Sequence, residues 1–131
     1  MAQGLKDVFG PVIYSYTRAQ AIEDGVLVDV SKMARQAGFK VPVAVTQGLW
    51  SELITPPAAV AHCQDEDGRL WDVLWMAALQ ARVNGGASHL TFQVLFQQIP
   101  NFPPKTVTLW AIADGGDDGE LVVTIMRPED Y

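Results

Sequence analysis

Cysteine is nearly absent from this chain of 131 residues. Cys63 stands alone, so no intrachain disulfide and no multi-cysteine zinc site can form. Basic residues are also few. Nine Lys and Arg face fifteen Asp and Glu, for a net charge of −6. The nine are scattered, and no basic run exists. Phosphate-backbone binding draws on clustered Lys and Arg, so direct binding to nucleic acid is not expected. The same sign of charge argues against an anionic membrane surface. No apolar stretch is long enough to span a bilayer. Residues Met1 to Gly10 lack the basic and then apolar pattern of a secretory leader. The expectation is a cytoplasmic protein with no membrane partner. Neither a Walker phosphate loop nor a dinucleotide fingerprint is present, so no cofactor is expected.

What is present suits one folded domain. Apolar residues make up 49% of the chain and charged residues 18%, a globular composition. Four Trp and five Phe are available for packing. The length fits a single domain. We expect a flexible arm over residues 1–11 and one α+β domain over residues 12–131.

The domain reads as short elements first and longer ones later. Val12 to Tyr16 has strand character. Thr17 is placed to cap a short helix from Arg18 to Asp24, and Gly25 to end it. Val26 to Val30 reads as a strand. Then a unit repeats twice: a β-branched strand, a hydroxyl N-cap and a short helix. The first copy caps with Ser31 and runs to Gly38. The second runs from Val43 through Thr46 to Ile54, where Thr55-Pro56-Pro57 breaks it. Pro42 stands at the start of a strand, where a missing N–H is tolerated, or marks an edge.

A long helix is expected from about Gly68 to Asn84, stopping at Gly85-Gly86. Leu70, Trp71, Val73, Leu74, Trp75, Ala77, Ala78 and Ala81 make it apolar on most sides, so other elements should cover it. The final third is β. Leu90, Phe92, Val94 and Phe96 alternate with Thr91, Gln93, Leu95 and Gln97, the pattern of a half-buried strand. Val107 to Ala113 and Leu121 to Met126 flank an acidic glycine-rich turn and read as a hairpin.

Three segments carry a resemblance. They are Tyr16 to Gly25 with its continuation to Asp29, Gly68 to Ala77, and Asp117 to Met126. Together they make the chain similar to an uncharacterised family of small acidic proteins encoded on bacterial plasmids, phages and integrated elements. The resemblance implies an accessory role on a mobile element and assigns no catalytic residue. A second, weaker likeness is to the opening of small ADP-ribosyltransferase folds. It rests on Tyr14-Ser15-Tyr16-Thr17 followed by Ile22 to Leu27. Ser15 stands where that family has a histidine.

Two acidic segments are the candidate partner-binding surface: Asp65, Glu66 and Asp67 before the long helix, and Asp114, Asp117, Asp118 and Glu120 in the hairpin turn. Tight turns use Gly and Asp for their own geometry, so the second segment also has a purely local explanation. A metal site is not expected at either. In a calcium-loop register with Asp65 at the third position, Leu74 falls at the twelfth, where a bidentate Glu is required. Tyr14, Tyr16 and Arg18 form an alternative ligand site, with Arg18 holding a phosphate or carboxylate. His62-Cys63 places a thiol nucleophile beside a base. A lone cysteine is more often a small buried hydrophobe. Trp71 and Trp75, one helical turn apart, read as core packing. Asp72 between them should find an arginine, among Arg18, Arg35, Arg69 and Arg82. Three functions remain open: an interaction protein with an acidic surface, a small nucleotide-binding or ADP-ribosyltransferase-like domain, and a self-associating domain pairing open strand edges as a homodimer.

Overall fold

The computed structural model describes residues 16–131. The expected N-terminal arm, the strand from Val12 and Tyr14 itself lie outside the described residues. From residue 16 on, the chain is a single α+β domain, as the sequence led us to expect.

Helix α1 spans Arg18–Glu23. Thr17 caps it by accepting from the Gln20 N–H, while the Gln20 side chain returns to the Thr17 N–H. Gly25 follows with φ +78°, a conformation that suits a residue lacking Cβ. Strand β1, Leu27–Asp29, leads into helix α2, Ser31–Ala37. Here the expected cap differs. Val30 occupies the N-cap position, and Ser31 is already helical. The Ser31 hydroxyl donates to Asp29 Oδ1 at 2.6 Å and accepts from the Val43 N–H at 3.0 Å. A side chain expected to start a helix thus ties β1 to the next strand.

Strand β2, Val43–Thr46, runs into helix α3, Gln47–Leu49, capped by the Thr46 hydroxyl. The helix widens to a π-turn over Trp50–Ile54 before the Pro pair ends it. A 3-10 turn, Ala58–Val60, leads to the long helix α4, Glu66–Val83. Strands β3, His89–Phe96, β4, Lys105–Gly115, and β5, Leu121–Met126, complete the chain before a last 3-10 turn at Pro128–Asp130.

The five strands form one sheet in the order β1-β2-β5-β4-β3. All neighbours are antiparallel except β2 and β5, which are parallel. Pro42 sits just before β2, at a strand start rather than on an edge, and its carbonyl accepts from Val123.

Alternation decides the faces. Val43, Val45, Phe92, Val94, Phe96, Leu109 and Ile125 turn to one side and are buried there. Leu70, Val73, Leu74 and Ala77 of α4 meet them, with α2 packed beside α4. Burying each such side chain contributes about 1.5–3 kcal/mol. The opposite face carries Arg18, which reaches the Thr124 hydroxyl, and a cluster of His89, Trp110 and Tyr131 in edge-on contact. Arg127 and Asp130 hold the C-terminal turn against α3, with Asp130 also accepting from Thr46 at 2.8 Å.

The long helix corrects one expectation. It is covered on one side only. Trp75, Met76, Leu79 and Val83 are exposed, and Trp71 is half-buried. The two tryptophans stack on each other, with centroids 5.8 Å apart; Trp71 packs against the core as expected, and Trp75 lies outside it.

Among the described residues, Arg69 is the one charged residue in the buried set, at 3% exposure. Its guanidinium donates to Leu53 O, Gln98 Oε1, Gln64 Oε1 and Gln97 O. It also lies over the Phe96 ring, 5.5 Å from its centroid. Arg69→Ala leaves those acceptors unsatisfied and opens a cavity. We expect a loss of about 3 kcal/mol in stability, read by urea unfolding.

Candidate functional site

Strand β4 is eleven residues long. Its two ends therefore lie about 33 Å apart. The hairpin turn with Asp114, Asp117, Asp118 and Glu120 caps one end, where Gly115 pairs with Leu121. Asp65, Glu66 and Asp67 belong to the other end, because Arg69 of the same helix bonds to Gln97, beside the Phe96–Lys105 pair. The structure therefore separates the two acidic segments instead of joining them.

The hairpin end is the more developed site. It brings together residues that the sequence offered as two alternatives. Asp117 accepts from the Arg18 N–H at 2.8 Å and the Ala19 N–H at 3.0 Å. Those are free amides of the first turn of α1, so the carboxylate completes that helix start. Both bonds favour the ionised form. The Arg18 amide, then the Ala19 amide, holds the Asp117 carboxyl below its ordinary 3.8.

Arg18 points its guanidinium at the sheet. Nη1 donates to Thr124 Oγ1 at 2.8 Å and Nη2 to Val123 O at 2.9 Å. Burial pulls its pKa down, and the neighbouring Asp29, Asp117 and Glu120 oppose that shift. Those three carboxylates would also repel an incoming phosphate. Tyr16 donates its hydroxyl to Asp24 Oδ2 at 2.8 Å, which raises the phenol.

Glu120 folds back over the turn. Its Oε1 accepts from the Asp118 N–H at 3.1 Å, and its side chain lies across the bare face of Gly116. Among the described residues, the Asp114 carboxylate accepts only from the adjacent Gly115 N–H. The Asp118 side chain makes no hydrogen bond among the described residues. Asp29, Asp114, Asp118 and Glu120 are all exposed, so this end presents negative charge with Arg18 turned inward.

At the other end the acids serve α4. Asp65 accepts from the Gly68 N–H at 2.8 Å as the N-cap, and Glu66 accepts from the Thr55 hydroxyl at 2.9 Å. Asp67 is exposed in the first turn. Beside them lies a groove of about 810 Å³ lined by His62, Cys63, Asp65, Arg69, Trp71, Asp72 and Phe96, among others. Cys63 is exposed rather than buried, and its Sγ lies 3.5 Å from Val60 O.

Asp72 does not form the ion pair the sequence suggested. Arg69 is fully engaged by neutral oxygens, and no salt bridge to Asp72 is present among the described residues. Partial burial raises the Asp72 carboxyl, with Arg69 opposing from a distance. Sequence reasoning named Arg69 only as a partner for Asp72. Its buried role had one local sign, an arginine followed at once by Leu70 and Trp71. Among the described residues, no group of three or more His, Cys, Asp or Glu is placed to hold a metal ion. No helix there is long and apolar enough to cross a membrane.

The Asp117 geometry makes a direct prediction. A depressed acid stabilises the fold in full above its unfolded pKa, near 3.8, and the effect is lost as pH falls through the lower folded value. Asp117→Ala should speed amide exchange at Arg18 and Ala19 at neutral pH while β3 amides stay protected. In the unsubstituted protein the same two amides should lose protection below pH 3.8.

The chain is 28% identical over 130 residues to a DNA helicase/primase complex-associated protein of Bovine herpesvirus 1.1 (strain Cooper). That alignment covers 92% of this chain and 17% of the viral protein, so the chain spans a small part of its relative's length. No solved structure matches the chain. A family match runs over residues 9–131, nearly the whole length, and by it the chain belongs to the family of unknown function DUF6573.

Proposed function

We propose that this chain is an accessory protein of a mobile genetic element or virus, and that it acts by binding another protein through the acidic hairpin end of its sheet. One observation carries the reading. Asp114, Asp118 and Glu120 are exposed together, and the neighbouring Arg18 is directed into the sheet. Such an end attracts a basic surface and repels nucleic acid.

The partner is a protein with a basic face, of the kind that handles nucleic acid. The likeness to a helicase/primase complex-associated protein supports that class of target. Asp65, Glu66 and Asp67 form a second acidic patch at the far end, available to a partner long enough to reach both. No catalytic step is assigned. The ligand reading of Tyr16 and Arg18 is weakened by the carboxylates around the guanidinium.

The test avoids Asp117, because reversing that charge would also loosen α1. Tagged protein is used to capture partners from a bacterial lysate at low and high salt, beside an Asp114→Lys/Asp118→Lys variant. A stoichiometric partner should be retained at low salt, released at high salt and weakened roughly tenfold or more by the variant. The variant should keep its thermal midpoint within a few degrees of the parent, since both side chains are exposed. Equal retention by parent and variant would sink the electrostatic reading.

A further inference from the structure

We propose that the exposed side of α4 is the interface of a twofold-symmetric dimer of this chain, in which α4 packs antiparallel against its own copy. The proposal goes beyond the acidic hairpin and uses a separate surface.

The stripe is continuous. Asp72, Trp75, Met76, Leu79, Arg82 and Val83 recur at spacings of three and four and are all exposed. Residues so spaced share one helix face. Four of the six are large and apolar, at 40, 37, 36 and 78% exposure for Trp75, Met76, Leu79 and Val83. Apolar side chains gathered on one exposed face mark an interaction surface more often than scattered ones.

Charge identifies the occupant as a second copy. The stripe has an acid toward its N-terminal end, Asp72, and a base toward its C-terminal end, Arg82. Each lies five residues from Ala77. A twofold axis at the level of Ala77 therefore sets Asp72 against the partner subunit's Arg82, and Arg82 against the partner subunit's Asp72. It also sets Trp75 against the partner subunit's Leu79, since each of those positions lies two residues from Ala77. Such an interface is self-complementary, as an isologous contact must be. A parallel arrangement would oppose like charges.

The flank agrees. Glu66 and Asp67 extend the acidic end of the helix. Arg82 sits over the Trp75 ring, 5.7 Å from its centroid, and stays on the stripe. Asp72 has no competing partner within its own chain among the described residues, because Arg69 is engaged elsewhere.

Sedimentation equilibrium of the full chain over a range of concentrations is the test. The parent should show a monomer–dimer equilibrium. Asp72→Arg and Arg82→Asp should each weaken it roughly tenfold, by placing like charges together twice in each dimer. The Asp72→Arg/Arg82→Asp double variant should return to within about threefold of the parent. Leu79→Glu should abolish the dimer, with circular dichroism confirming the fold. A monomer at every concentration up to about 1 mM overturns the proposal. So does a dimer indifferent to all four variants, which would point to strand edges. Failure of the double swap to restore what the single changes remove overturns the antiparallel register.

Discussion

A guanidinium held in the interior by neutral oxygens organises one end of this molecule. Arg69 enters from the first turns of α4 and bonds to the end of the π-turn, the segment before the helix and the residues just after β3. Three pieces of chain that share no regular hydrogen bonding are thereby fixed to one group. A planar cation with five N–H donors suits such a junction, because it satisfies several carbonyls from a single point. Among the described residues, no carboxylate forms a salt bridge with it. It rests on directed dipoles and on the Phe96 ring, which keeps the site buried without an ion pair.

The other end of the sheet is organised by the opposite sign. Asp117 is 99 residues from Arg18 in sequence, yet its carboxylate completes the start of α1. The hairpin turn thereby holds the first described helix against the last strand pair. A carboxylate committed to backbone amides is not available to a partner in the way a free one is. The acidic turn therefore divides its work. Asp117 serves the fold, Glu120 partly shapes the turn, and Asp114 and Asp118 face outward. A surface reading drawn from the acid count alone would assign all four the same role.

Helix α4 links these themes. Its buried side builds the core with β3 and α2, while its outer side keeps tryptophan, methionine, leucine and valine in water. A helix apolar all round is normally enclosed. This one is enclosed on one side within a single chain, and the rest of its apolar surface is the basis for a surface distinct from the acidic hairpin. Membership of DUF6573 covers the whole of this arrangement, the helix and the hairpin alike.

Much of the local structure was legible in the residues. Thr17 and Gly25 bound α1, Thr46 starts α3, and the alternation from Leu90 to Phe96 assigned the faces of β3. Such features depend on backbone geometry and on neighbours within a few positions, which a sequence displays directly. Ser31 shows where that rule stops. Its hydroxyl preferred Asp29 and the facing strand over a cap, because pairing of β1 with β2 brought the Val43 amide within reach. Sequence by itself determined an acidic α+β domain, the placing of its later elements and the acids at its turns. Only the tertiary structure decided that the two acidic segments lie at opposite ends of a sheet, that Arg69 is buried while Asp72 is not its partner, and that α4 leaves an apolar stripe uncovered. The physical reason is common to all three. Strand order and helix packing set distances between residues far apart in the chain, and the chemistry of a side chain does not encode which distant group it will meet.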